Sequence, residues 1–194
     1  MRIRVLGFFF ILIGVGIAFY PAFTDVRSWL VQSRLRAVVA TGEPSVQARA
    51  AGADVSQVNS PDYSLLEIPS IGLSAVVVEG TGAEELSKGP GRFLESALPG
   101  EGNTAIAGHR TMYGGWFRNL YRLKPGDSIL LKFKGATYRY EVERVFTVLD
   151  NDSSIIGPCG YPALTLMTCN GLQKSEKRLA VRARLIGISP KQST

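Results

Sequence analysis

Three side chains in this sequence are scarce and chemically active: a single histidine, His109, and two cysteines, Cys159 and Cys169. A thiolate is a strong nucleophile, and an imidazole carries protons near neutral pH. A guanidinium, always charged, can hold a developing oxyanion. Arg178 lies nine residues past Cys169 and is a candidate for that third part. Ordinary roles compete with each of these. A lone histidine in a β-rich chain is more often structural than catalytic. Two cysteines outside the cytosol are by default a disulfide. Arg178, Arg182 and Arg184 alternate along one stretch, where the ordinary reading makes all three solvent-facing, and periodicity does not choose among them.

The elements around these residues narrow the choice. Ala163 to Thr168 is an apolar β-rich run, so Cys169 sits at the last residue of a strand, before Asn170-Gly171. Thr104 to Ala107 is a second strand, and Gly108 lets the chain bend just before His109. Arg178 opens a third strand in which Leu179, Val181, Ala183 and Leu185 face the core. Two reactive side chains at the ends of strands in one sheet can meet over a groove. Further short strands are read at Leu65–Pro69, Leu73–Val78, Ser128–Lys134 and Thr137–Val148, the last two flanking Gly135-Ala136 as a hairpin. Tyr138, Tyr140 and Val142 alternate with Arg139, Glu141 and Glu143, the pattern of a half-buried strand. Glu84 to Lys88 is a helical turn, and Trp116 to Leu123 a short helix. The expected fold is mostly β, a small antiparallel barrel or sandwich with a few short helices, beginning near Ser64.

Ahead of that domain, Val5 to Thr24 is twenty residues without a charge. As a helix it would span ~30 Å, the thickness of a bilayer's hydrocarbon core. Arg2 and Arg4 precede it, which directs the N-terminus to the cytoplasm and the rest outside. No small-x-small cleavage site follows, so residues 1–24 are read as an uncleaved anchor. Residues 25–63 are read as juxtamembrane: a possible surface helix to about Ala40, then a flexible stalk rich in Ala, Gly, Ser and Pro. The 22 Lys and Arg against 16 Asp and Glu give a formal charge of +6, spread along the chain. No basic run interleaves with aromatics, so nucleic acid is not an expected partner. No nucleotide or metal motif is present and no cofactor is expected.

Three ordered segments resemble the signature regions of sortases: Ala107-Gly108-His109-Arg110-Thr111, Thr165-Leu166-Met167-Thr168-Cys169 and Glu176-Lys177-Arg178-Leu179-Ala180-Val181. Glu79-Gly80-Thr81, Lys88-Gly89-Pro90-Gly91 and Leu98-Pro99-Gly100 add to the likeness, which covers residues 64–187. The resemblance implies an eight-stranded β-barrel at the cell surface, a cysteine transpeptidase with His109, Cys169 and Arg178 as its catalytic set. It implies cleavage of a C-terminal sorting signal of the Leu-Pro-x-Thr-Gly or Leu-Ala-x-Thr-Gly kind between Thr and Gly, through a thioester. The acyl group then passes to an amine of a cell-wall precursor of lipid II type or of a pilin lysine. The His109 and Cys169 contexts lean toward class E, with the pilin-building class C as alternative. Residues 41–63 lack the Asp-Pro-Trp-like lid that class C enzymes often carry. Calcium dependence stays open.

Two other function classes compete: an L,D-transpeptidase-like peptidoglycan enzyme, whose Ser-x-Gly-Cys context is absent, and a non-catalytic surface domain stapled by Cys159–Cys169. The bridge is disfavoured by reach. If Ala163 to Cys169 is a strand, its six steps carry Cys169 ~20 Å from Ala163. The four steps back to Cys159 reach at most about 14 Å. Cys159 is therefore expected to be a loop thiol.

Overall fold

The computed structural model of the chain describes residues 2–41, 63–169 and 177–190. Eight strands form: β1 (Ser64–Ile68), β2 (Leu73–Glu79), β3 (Gly91–Arg92), β4 (Asn103–Ala107), β5 (Ser128–Phe133), β6 (Ala136–Leu149), β7 (Ala163–Cys169) and β8 (Lys177–Pro190). They close a barrel in the order β1-β2-β3-β4-β7-β8-β6-β5, and the β1–β5 pairing seals it. Two neighbours run parallel, β2 with β3 and β4 with β7; the remaining pairs are antiparallel.

The alternation in the sequence fills the barrel. Leu66, Ile68, Ile106, Ile129, Leu131, Tyr140, Leu164, Leu166 and Val181 are fully buried in one cluster. Phe117 and Leu120 join it from the loop after β4. The β5–β6 hairpin turns through Lys134 and Gly135 with φ of 46° and 74°. A two-residue turn with both φ positive matches the right-handed twist of its strands. The segment Trp116 to Leu123, read as a short helix, is instead turns ending in a 3-10 turn at Leu120–Arg122. Its apolar residues serve as a plug for one end of the barrel. β6 and β8 run longer than the sequence pattern indicates, with register shifts at Arg139/Tyr140 and Val142/Arg144.

The N-terminal helix α1 (Arg2–Thr41) is continuous, and a second helix, α2 (Ala83–Lys88), follows β2. The juxtamembrane stretch, read as a surface helix, is the last part of α1, with Ser28, Gln32 and Leu35 buried against the barrel. Among the described residues no helix is long and apolar enough to cross a membrane. The side chains of residues 1–13, which hold much of the uncharged run, lie outside the described set, as does the stalk at 42–62.

α1 covers an edge that β3 is too short to pair. Along that edge of β2, Val78 N–H donates to Pro90 O at 2.9 Å. One step further, the Gln32 side-chain amide accepts from Val76 N–H at 2.8 Å and donates to Val76 O at 2.9 Å. Arg36 then donates to Ser74 O. A side-chain amide has the donor and acceptor needed to stand in for a strand, and an edge so covered cannot template a foreign strand. Gly89 is required here: a Cβ on it would lie 2.1 Å from Gln32 Nε2.

Candidate active site

The wall formed by β4, β7 and β8 has an inner face in the core and an outer face that carries the site. On β7, Leu164 and Leu166 point inward, while Thr165 and Met167 belong to the outer series. On β8, Val181 and Ala183 point inward, while Ala180 and Arg182 are outward. Position 169 falls on the same alternation as Thr165 and Met167, because side chains repeat every two residues along a strand.

The register then lines up the candidate residues. Cys169 is the antiparallel partner of Arg178, directly opposite it. Such partners lie about 5 Å apart and share one face. On the other side, β4 runs parallel to β7 with Ala107 beside Met167, and Gly108 N–H still donates to Met167 O at 3.0 Å. Carried on by two residues, that register brings position 109 beside position 169. Adjacent strands lie about 4.8 Å apart. Positions 109, 169 and 178 therefore fall in one row across the ends of three neighbouring strands.

Each flank of the row is held. A Cβ on Gly108 would lie 2.7 Å from the Phe117 ring, so this position admits the chain only without a side chain. His109 O accepts from Phe117 N–H at 3.0 Å, and the His109 ring leans on Tyr113 with centroids 5.1 Å apart at 44°. The ring is half-buried, and burial lowers the His109 pKa below its ordinary value. Withdrawal from water disfavours the charged imidazolium. On the far flank, Arg178 Nε donates to the Asp150 carboxylate. Asp150 stands two residues past Val148, which is Arg178's partner on β6, so both fall on the same face.

The loop from Asp150 to Pro162 lies over this outer face. Asn103 at the start of β4 donates to Ile155 O, Ile156 O and Gly157 O at 2.8, 3.1 and 2.9 Å, and accepts from Thr165 Oγ1 at 2.6 Å. Arg182 donates to Ile155 O at 3.2 Å. Ile155 then packs with Met167 and Ala180.

These placements correct one reading. Arg178, Arg182 and Arg184 do share the outer face of β8, but the solvent-facing reading fails for Arg182, which is 5% exposed beneath the loop. Arg184 alone behaves as a surface residue, paired with Glu143 at 2.7 Å and stacked over Tyr161. Cys159 is a free thiol that donates to Tyr161 O at 3.3 Å. Sequence reasoning missed Asn103 and Tyr113. The pairing of Asp150 with Arg178 was not legible there either. Tyr113-Gly114-Gly115, just past a histidine, is the one local turn signal that pointed to a special conformation there. Among the described residues no three His, Cys, Asp or Glu side chains group as a metal site.

On this wall of the closed barrel a strand-end cysteine position stands opposite an arginine, and a histidine follows the end of the neighbouring strand. Residues 66–186 match the family model described as the Sortase domain, and the chain belongs to the sortase family of cysteine transpeptidases. It is 28% identical to Sortase A of Bacillus anthracis over 72% of this chain and 73% of that one. It is 29% identical to Sortase D of Bacillus subtilis over 79% and 81%. Among solved structures, sortase E from Streptomyces avermitilis superposes with a TM-score of 0.60 at 33% identity, covering 66% of this chain and 90% of that one. The family match leaves neither the L,D-transpeptidase reading nor the stapled-domain reading with support.

Proposed function

We propose that Cys169 is the nucleophile, His109 the proton carrier and Arg178 the oxyanion holder of a sorting reaction on proteins bearing a Leu-Pro-x-Thr-Gly-like or Leu-Ala-x-Thr-Gly-like C-terminal signal. The Cys169 thiolate attacks the Thr carbonyl carbon, and the resulting oxyanion rests on the Arg178 guanidinium. The Thr–Gly C–N bond breaks as protonated His109 gives its proton to the departing Gly amine. Neutral His109 next takes a proton from an incoming amine, which displaces the Cys169 thiolate from the thioester. The acceptor is an amine of a lipid II-type precursor or of a pilin lysine. The observation that carries the reading is the register, with Cys169 opposite Arg178 and the β4 end that leads into His109 paired to β7 through Met167.

Similarity to Sortase E1 of Streptomyces coelicolor, solved with a tripeptide in its active site at 26% identity and TM-score 0.62, supports a peptide groove over this row. The 33% identity to the Streptomyces avermitilis enzyme supports a class E-like subclass. The uncharged run Val5–Thr24, lying within the continuous α1, supports a single-pass anchor with the barrel outside the cell. Mass spectrometry of a signal peptide incubated with the full chain and a glycine-based amine tests the reaction. A Thr-linked amine product is expected from the native protein and none from Cys169→Ala. A product from Cys169→Ala would refute the assignment of the nucleophile.

A further inference from the structure

The turn after His109 is bent in a way its own sequence does not sustain. Tyr113, Gly114 and Gly115 have φ of 50°, 85° and 53°, three consecutive left-handed residues. For the glycines this is inexpensive, but Tyr113 has a Cβ and is strained there. Such a conformation persists only where its surroundings hold it.

The holding groups come from α1. Ser28 Oγ donates to Tyr113 O at 2.9 Å and accepts from Trp116 Nε1 at 3.2 Å. Asp25 Oδ1 accepts from Gly114 N–H at 2.8 Å. One helix thus engages the carbonyl of the strained residue, the next amide, and the indole that closes the turn. Ser28 is 1% exposed. Asp25, Ser28, Gln32 and Arg36 are spaced three or four apart and lie on one face of α1. The face is therefore a continuous latch, with Gln32 and Arg36 securing β2 and Asp25 and Ser28 securing the turn. The secured turn carries the ring that leans on His109.

We propose that α1 is a positioning element of the active site: Asp25 and Ser28 hold the Tyr113–Gly115 turn left-handed and so keep Tyr113 against the His109 ring. The inference rests on the catalytic role given above to His109. It makes the helix that leads out of the apolar N-terminal run a working part of the enzyme, beyond any use as a tether. Without the latch Tyr113 relaxes to an ordinary backbone conformation, the imidazole loses its wall, and its reach to position 169 drifts. A misplacement of about 1 Å in a reacting group can cost on the order of 100-fold.

The test uses the full chain in detergent micelles or nanodiscs, with a signal peptide and an amine acceptor. The variants are Ser28→Ala, the double variant Asp25→Ala with Ser28→Ala, the conservative Ser28→Thr and Asp25→Asn, and Ser33→Ala as a control. Ser33 is exposed, and its hydroxyl donates to Leu30 O within its own helix. The double variant is expected to lose about tenfold to a hundredfold in kcat with KM within about twofold. Hydrogen exchange should rise over residues 110–117 while the melting temperature stays near the native value, since Gln32 and Leu35 still dock α1. Its kcat/KM profile should shift toward higher pH as the His109 ring gains water. Tyr113 packs on that ring, Arg110 follows it in the chain, Asp25 of α1 bonds the turn at Gly114, and the Arg178–Asp150 pair lies across β7. Ser28→Thr, Asp25→Asn and Ser33→Ala should stay within about threefold of native. Faster exchange over 110–117 with kcat unchanged would overturn the positioning role. Unchanged exchange in the double variant would overturn the latch itself. Turnover by Cys169→Ala would remove the catalytic reading, and the positioning role with it, whatever the latch variants do.

Discussion

Replacing Asn103 tests whether the loop over the active-site wall is held as the geometry indicates. Its side-chain amide has two N–H groups directed at three carbonyls, Ile155 O, Ile156 O and Gly157 O, so one proton is shared. Its Oδ1 accepts from the fully buried Thr165 hydroxyl. Asn103→Ala therefore removes three hydrogen bonds' worth of pairing at a position 2% exposed. At about 1 kcal/mol net each, the loss is about 3 kcal/mol. One kcal/mol shifts the midpoint of a domain this size by about 3–5 °C, so Tm should fall by roughly 10–15 °C. Asn103→Asp separates geometry from bulk. It keeps an acceptor for Thr165 but turns a carboxylate on three carbonyl oxygens, so at pH 7 it should be less stable than Asn103→Ala. Thermal unfolding of the full chain in detergent, followed by circular dichroism, reads both. Peptide titration should show KM rising in the Ala variant, because the loosened loop also carries Asp150 to Arg178. An Asp variant as stable as the native protein, or an Ala variant within about 3 °C of it, would refute this account of the loop.

Arg178→Lys keeps a charge but loses the planar fork, and should cost on the order of 10²–10³ in kcat/KM. Arg184→Lys should be nearly silent in the same assay, so equal losses at the two positions would remove Arg178 from the site. Arg182→Lys should instead lower Tm, because its guanidinium is buried and bonded to Ile155 O; an unchanged melting curve would contradict that burial. The pH profile of kcat/KM should be bell-shaped, with two apparent pKa values that belong to the Cys169–His109 pair, and burial disfavours the His109 imidazolium. The sign for stability follows: the unfolded chain takes up this proton first, so folding weakens as pH falls through about 6.5. A flat profile from pH 5 to 10 would be incompatible with His109 as proton carrier. Cys159→Ser should retain most activity, and non-reducing peptide mapping of active protein should recover Cys159 unlinked.

The parts of the site legible in the sequence are those written by strand periodicity. Leu179 to Leu185 alternate cleanly, so the outward position of Arg178 followed from a period of two, while the pairing of this strand with β7 did not. What stayed hidden depends on elements far apart in the chain. Alternation correctly set Arg182 on the outer face, but it could not report that residues 150–162 return over that face and convert an outward position into a buried one. Asn103 reads as an ordinary polar residue at a strand start. Its importance arises only because the loop ends three carbonyls on its amide. The same holds for Asp150, whose pairing with Arg178 comes from the β6–β8 register.

The N-terminal helix shows the limit of local pattern most clearly. From Asp25 to Val39 the residues that contact the barrel mix the polar Asp25, Ser28, Gln32 and Arg36 with the apolar Val31, Leu35 and Val39, so the segment reads as interfacial rather than as packing against protein. The reason for the polarity is the surface it meets. An unpaired strand edge and a left-handed turn both present bare N–H and C=O groups, and an apolar face laid on them would leave those groups unsatisfied. Gln32 answers the edge with both halves of its amide, while Asp25 and Ser28 answer the turn with an acceptor and a hydroxyl. Leu35, with Val31 and Val39 beside it, supplies the apolar contact with Val76 and Val78 that such a small interface still needs. A polar stripe at helical spacing beside a glycine-rich turn is therefore a packing signal of its own kind, one that hydrophobic periodicity is blind to. Its clearest trace in this chain is Gly89, a position where the Gln32 amide has taken the space of a side chain.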